Sequence, residues 1–170
     1  FLLIYSGTVF PLQTYLIPLF TMFSKINLYD TKLGLSLYYT AISIPFCLFV
    51  LRNYFLTYSK EIVEAARLDG SSDLRIFLQM YMPMAKSPIM VLLLFQFTFI
   101  WNDLLFSMTL SRSAHVRSIM TGLSNLQGAY STSNIPVLLT AAVIASIPTL
   151  LLFVFLQKHF MKGFVLGAVR

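Results

Sequence analysis

The chain has 170 residues, 58% of them hydrophobic and 11% charged, with a mean hydropathy of +0.79; a soluble domain carries about 25% charged residues, so a water-soluble enzyme core is excluded. Lys and Arg outnumber Asp and Glu by 12 to 6, yet no basic cluster dense enough for nucleic acid occurs, and the excess reads as membrane topology. The one cysteine, Cys47, excludes an internal disulfide framework.

The opening stretch FLLIYSGTVFPLQTYLIPLF has no basic n-region and no small-residue cleavage site, so it is not a signal peptide. Residues 1–24 carry no charge and are expected to hold a first membrane span, for which about 20 helical residues are needed. Residues 33–51, between Lys32 and Arg52, form a second uncharged run. A third span is expected over 87–110 with one acid, Asp103, and a fourth over 135–157 with none. Pro11, Pro18, Pro45 and Pro148 predict kinks, which neighbouring helices can accommodate. Ala141, Ala142, Ala145 and Ser146 predict a close-packing face in the fourth span. The fold class is an all-α membrane protein, a polytopic helical bundle with four spans present.

With four spans, the 57–86 loop and the 158–170 tail share one side. Arg52, Lys60, Arg67, Arg75, Lys86, Lys158, Lys162 and Arg170 lie on that side, against Lys25, Lys32, Arg112 and Arg117 on the other. The positive-inside bias therefore assigns the loop and the C-terminus to the cytoplasm, and the polar segment 111–134 to the outside.

The 57–86 loop reads as two short helices. One runs from about Lys60 to Asp69 behind Ser59, with Gly70 as a left-handed stop. The other starts behind Ser72 and stops before Pro83, with Leu74, Phe77, Leu78 and Tyr81 at i, i+3, i+4 and i+7 on one face. From the residues alone, an amphipathic linker lying on the membrane and a docking element are both open readings.

The string EAARLDGSSDLRIFLQMYMPMAKSPI resembles the EAA loop of the membrane-spanning subunits of ABC importers: Glu-Ala-Ala, an acid-Gly pair, then a hydrophobic helix ending in Pro. Trp101-Asn102-Asp103 and the tail QKHFMKGFVLGAVR are similar to the carbohydrate-importer branch, particularly the maltose-type inner-membrane subunit, and the likeness covers essentially the whole chain. The family usually has six spans, so the resemblance implies that two precede Phe1. It further implies that Glu64, Ala65, Ala66, Asp69 and Gly70 contact a cytoplasmic ATPase subunit, and that Leu74, Phe77, Leu78, Tyr81 and Pro83 pack the loop on its own bundle. The implied partners are a second permease subunit, ATPase subunits and an extracytoplasmic sugar-binding protein, for which the 111–134 segment is the candidate contact surface, in a prokaryotic cell membrane.

The chain has no GxxxxGK[ST] phosphate loop, no HExxH and no GxSxG, and His115 and His159 lack ligand spacing. No catalysis, metal or cofactor is expected here; ATP and Mg belong to the partner ATPase. Asp103, an acid in the outer third of a span, is costly and needs a cavity or a partner. With Asn102 and Trp101 it is a candidate for the substrate pathway, while pairing of Asp103 with a neighbouring base, and Trp101 as an interfacial anchor, are the structural alternatives. An ABC permease for another solute, a proton-coupled carrier and a membrane-embedded enzyme are the competing functions.

Overall fold

A computed structural model describes the backbone of residues 2–7, 10–129 and 135–167, and the side chains of these except at 2, 3, 60, 128, 129 and from 158 onward. The described residues are helical, without strands: α1 (Leu2–Ser6), a 3₁₀ turn (Leu12–Tyr15), α2 (Leu16–Lys25), α3 (Lys32–Phe55), α4 (Lys60–Leu68), α5 (Asp73–Ile76), a π turn (Phe77–Tyr81), α6 (Met82–Met84), α7 (Lys86–Trp101), α8 (Leu105–Leu110), α9 (Ile119–Ala129) and α10 (Ile135–Gly167). This is the helical membrane bundle that the composition dictates. The string YSTSN, residues 130–134, falls outside the described residues, as do the side chains of the expected tail.

Two helices are long and apolar enough to cross a bilayer unbroken, Lys32–Phe55 and Ile135–Gln157. The other two expected spans are not single helices. Residues 1–24 are not one helix: α1, the 3₁₀ turn and α2 succeed one another, with Pro11 extended at φ −58°, ψ 128° between them. The 87–110 run is also interrupted. α7 ends at Trp101 and α8 begins at Leu105, and the 16 residues of α7 reach only about 24 Å at 1.5 Å per residue, short of a core of about 30 Å. Nor is 111–134 only a connecting loop, since α9 occupies Ile119–Ala129. The last helix does not stop at the expected boundary but runs through to Gly167.

The prolines leave traces that can be followed bond by bond. Pro88 cannot donate to the Met84 carbonyl one turn earlier; the Tyr54 hydroxyl donates to that carbonyl at 2.8 Å and so ties the end of α3 to the end of α6, just ahead of α7. Here the chain turns sharply, with Asp73–Met84 and Lys86–Trp101 bent by 66°. Ala85, fully buried, sits at the corner. Within α3, near Pro45, the Gln96 amide of α7 donates to the Ser43 carbonyl at 3.2 Å.

The buried cluster lies at one end of the bundle, where Phe23 of α2, Leu35 and Tyr38 of α3, Phe106 and Leu110 of α8, and Val116 meet. Tyr38 and Phe106 stack with centroids 4.5 Å apart. Loops are pinned around it. α2 ends on Asn27 at φ 57°, and Leu28 N donates back to Phe23 O at 2.9 Å, a left-handed helix stop in which Asn replaces Gly. α3 starts behind Thr31, whose hydroxyl accepts from Gly34 N at 2.9 Å and donates to Leu28 O at 2.7 Å. Asp30 then reaches across to the segment after α8. Its carboxylate accepts from Arg112 N and Ser113 N, each at 2.8 Å, and from the Ser113 hydroxyl, while Asp30 N donates to Leu110 O at 3.0 Å.

Two outcomes are expected. A Cβ at Gly34 would stand 2.2 Å from Leu28 O, so Gly34→Ala should cost about 1–3 kcal/mol through overpacking, whereas Gly122→Ala, with open space around it, should be neutral or stabilising; thermal midpoints of the solubilised protein check both. The Ser113 hydroxyl and then the Ser113 and Arg112 amides hold the Asp30 carboxyl down at about 2. Because the folded value lies below the unfolded one of about 3.9, its contribution is complete above pH ~4 and is lost as pH falls through about 2. Amide-exchange protection at Arg112 and Ser113 should therefore survive to about pH 3 and vanish near pH 2; loss with a midpoint near 4 would contradict this.

Candidate functional site

The 57–86 loop folds as a compact hairpin. α4 ends with a complete Schellman motif: Ser71 N donates to Ala66 O and Gly70 N to Arg67 O, both at 3.0 Å, and Gly70 takes φ +78°. A left-handed residue with a Cβ is penalised by roughly 1–2 kcal/mol, which is why glycine stands here. Ser72 then caps α5, its hydroxyl accepting from Arg75 N at 3.4 Å. Arg67 closes the corner by pairing with Asp73 at 3.0 Å, an exposed bridge that fixes geometry more than it stabilises. Ser59 stands at the N-cap of α4 but makes no capping bond.

Of the expected contact residues, Glu64, Ala65, Asp69 and Gly70 are exposed and Ala66 is half-buried. They lie on one continuous knuckle formed by the end of α4 and its stop. No clash meets a Cβ at Gly70 within this chain, so the tightness of that surface depends on what meets it.

The stripe expected to pack the loop on its bundle behaves differently. Leu74, Phe77 and Leu78 are 67%, 45% and 55% exposed, and Pro83 is exposed as well; it is Ile76, at 3%, that is buried. Tyr81 does pack, edge-on against Phe55 with centroids 5.1 Å apart and near Tyr58. The reason is a change of period. From Phe77 to Tyr81 the helix is of π type, with Met82 N donating to Phe77 O five residues back, and the wider turn breaks the 3.6-residue stripe. Pro83 lacks the N–H that would bond Gln79 O in an α-helix. Leu68, at the end of α4 next to Asp69, is 89% exposed, and Leu74 and Leu78 are exposed as well.

At the other end of α7, Trp101, Asn102 and Asp103 come together at the break, but each is already engaged. Trp101 stacks on Phe97 with centroids 5.2 Å apart and donates its Nε1–H to Ala145 O in α10 at 2.9 Å. Ala145 is buried as the packing-face expectation requires, while Ala142 and Ser146 are exposed. Asn102 donates to Thr98 O at 2.7 Å. Asp103 pairs with no base among the described residues; its carboxylate accepts from the Tyr39 hydroxyl at 2.8 Å, from Ser107 N at 3.0 Å and from Phe106 N at 3.3 Å. It is the cap of α8. Sequence reasoning did not foresee this capping role, whose signal is an acid three and four residues ahead of helical amides.

A recess of about 520 Å³ does adjoin Asn102 and Asp103, between Thr98 and Leu105. A larger cavity of about 680 Å³ opens between α2, α3 and α7, lined by Tyr15, Met22, Tyr38, Ile42, Phe46 and Phe99 among others. Its wall is nearly all hydrocarbon. The buried Tyr38 hydroxyl has no hydrogen-bond partner among the described residues. No group of three metal-ligating side chains occurs among the described residues.

Comparison with known proteins agrees with this architecture. The family of binding-protein-dependent transport system inner membrane components matches residues 1–165. The chain is 36% identical to a probable ABC transporter permease protein of Pyrococcus horikoshii, over 99% of this chain and 61% of the relative. It is 38% identical to the osmoprotective compounds uptake permease protein of Synechocystis, over 100% of this chain and 57% of that one. To the alpha-glucoside transport system permease protein of Rhizobium meliloti it is 32% identical, over 95% and 44%. It thus spans about three-fifths or less of the length of these relatives. Matched from end to end and built of membrane helices around a structured intervening loop, the chain belongs to the binding-protein-dependent transport system inner membrane component family, the permeases of ABC transporters.

Proposed function

We propose that the chain is the membrane-spanning permease subunit of an ATP-driven, binding-protein-dependent carbohydrate importer, coupled to a cytoplasmic ATPase subunit through the 57–86 loop. The observation that carries this reading is the knuckle. A membrane protein that exposes Leu68, Leu74 and Leu78 beside Glu64 and Asp69, on a corner pinned by a Schellman stop and an ion pair, has a preformed docking surface rather than a linker. The apolar residues would supply burial and the acids orientation, and the 66° corner at Ala85 joins the loop directly to α7. A push on the knuckle is thus delivered to a helix of the bundle.

The chain binds no nucleotide by a phosphate loop, so the energy belongs to the partner. In this reading the protein lies in the prokaryotic cell membrane beside a second permease subunit and lipid, with loop and C-terminus in the cytoplasm and a sugar-loaded binding protein on the opposite face. The alpha-glucoside and arabinooligosaccharide permeases among the relatives support sugar as cargo. The osmoprotective-compound permease, at 38% identity, favours a second reading in which the solute is an osmolyte.

Gly70→Val and Glu64→Lys are expected to leave the subunit in the membrane, to reduce co-purification of the ATPase subunit by about tenfold, a loss of about 1.4 kcal/mol, and to lower uptake of a labelled α-glucoside in parallel. Retention of the ATPase subunit and of uptake by both variants would remove the coupling role.

A further inference from the structure

Three polar side chains are almost wholly withdrawn from solvent at the end of the bundle opposite the knuckle: Ser107 at 0%, Thr121 at 3% and Ser111 at 5%. They belong to one network. The Ser107 hydroxyl accepts from Thr121 Oγ1 at 3.0 Å and from Ser118 N at 3.1 Å. The Ser118 hydroxyl donates to Asp103 O at 3.4 Å and accepts from Thr121 N at 3.3 Å. Ser111 donates to Ser107 O at 2.5 Å. Asp103 carries the network onto Ser107 N and the Tyr39 hydroxyl of α3, and Asp30 gathers the amides of Arg112 and Ser113 on its far side.

These bonds join parts that the backbone leaves apart. The helical ladder is interrupted between Trp101 and Leu105, and again between Leu110 and Ile119. Such breaks are where a span can hinge. Across them the hydroxyls and the carboxylate are shared by α3, α8, the 111–118 segment and α9. A buried polar network that is fully paired rigidifies its surroundings, whereas one with a member missing is costly. Apolar side chains would fill the same volume without specifying these angles.

We infer that Tyr39, Ser107 and Thr121 are positioning residues that lock α9, the 111–118 segment and the break in the α7–α8 span into one body, so that a protein docking at this end moves the span rather than only the loop. The inference rests on the permease reading, with this end as the face that meets the solute-binding protein. None of the three residues contacts cargo in this account. Their effect passes through Asp103, which holds α8 by its first amides.

The test uses the full-length chain, assembled in proteoliposomes with a partner permease subunit, ATPase subunits and the cognate solute-binding protein, purified with its bound solute. Tyr39→Phe and Thr121→Val should leave ATPase association, basal hydrolysis and the half-stimulating concentration of binding protein unchanged, and lower the maximal stimulation by about fivefold or more, the lower edge of ordinary coupling energies. Thr40→Ala, an exposed hydroxyl on the same helix, should change nothing. A second measurement covers poor folding of these variants. In a Cys47→Ser background, Ser107→Cys with Thr121→Cys replaces the hydroxyl contact by an oxidisable pair: stimulation should be near wild type when the pair is oxidised and fall about fivefold on reduction. Equal stimulation in both redox states, or full stimulation in both single variants, overturns the relay. Failure of the wild-type chain to retain the ATPase subunit instead overturns the permease reading, and the relay with it.

Discussion

A backbone carbonyl or amide that loses its helical partner must find another, and the way this chain meets that constraint organises the rest of its structure. Pro88 leaves the Met84 carbonyl without its helical donor, and the Tyr54 hydroxyl fills the vacancy. In α10, three residues before Pro148, the Trp101 indole donates to the Ala145 carbonyl and ties the end of α7 to that helix. Where α7 stops altogether, Asp103 takes up the first amides of α8. Each repair is made by a side chain from another element, so each is also a tie between helices. Bends and breaks that would weaken isolated helices are thereby turned into the fixed joints of a bundle.

Two ends with different physics follow. Around Gly70 the chain presents a rigid corner with charge and apolar area both exposed, the form of a surface that awaits a partner. Around Asp103 and Asp30 it buries hydroxyls and carboxylates in satisfied bonds, the form of a surface whose shape must be kept. α7 connects the two. Under the function proposed above, with an ATPase on one face and a binding protein on the other, one end would receive force and the other would hold geometry.

Local signals in the sequence told more than averaged ones. Gly70 and Ser72 were legible as a helix stop and a cap because each depends on a few adjacent residues, and both conformations are present. The unbroken helices 32–55 and 135–157 were legible from uncharged length. Hydropathy could not reveal the breaks at Pro11 and at Asn102–Leu104, because an average over twenty residues is blind to a few that leave the helix. The acid in the third run was visible, but its role was not: Asp103 draws its partners from residue 39 and from amides beyond the break. The period on which the Leu74–Tyr81 stripe was counted is likewise interrupted, by the π turn from Phe77 to Tyr81.

The central claim is that the charged, apolar knuckle faces the cytoplasm while α9 faces outward, with opposite partners. The direct measurement is sided labelling of single cysteines in a background lacking Cys47, one at the exposed Leu68 and one at the exposed Gln127. An impermeant thiol reagent applied to intact cells should modify Gln127→Cys and leave Leu68→Cys untouched, with the reverse in inverted vesicles stripped of peripheral subunits. Modification of Leu68→Cys from outside intact cells would contradict the orientation, and with it the docking of an ATPase subunit on this loop.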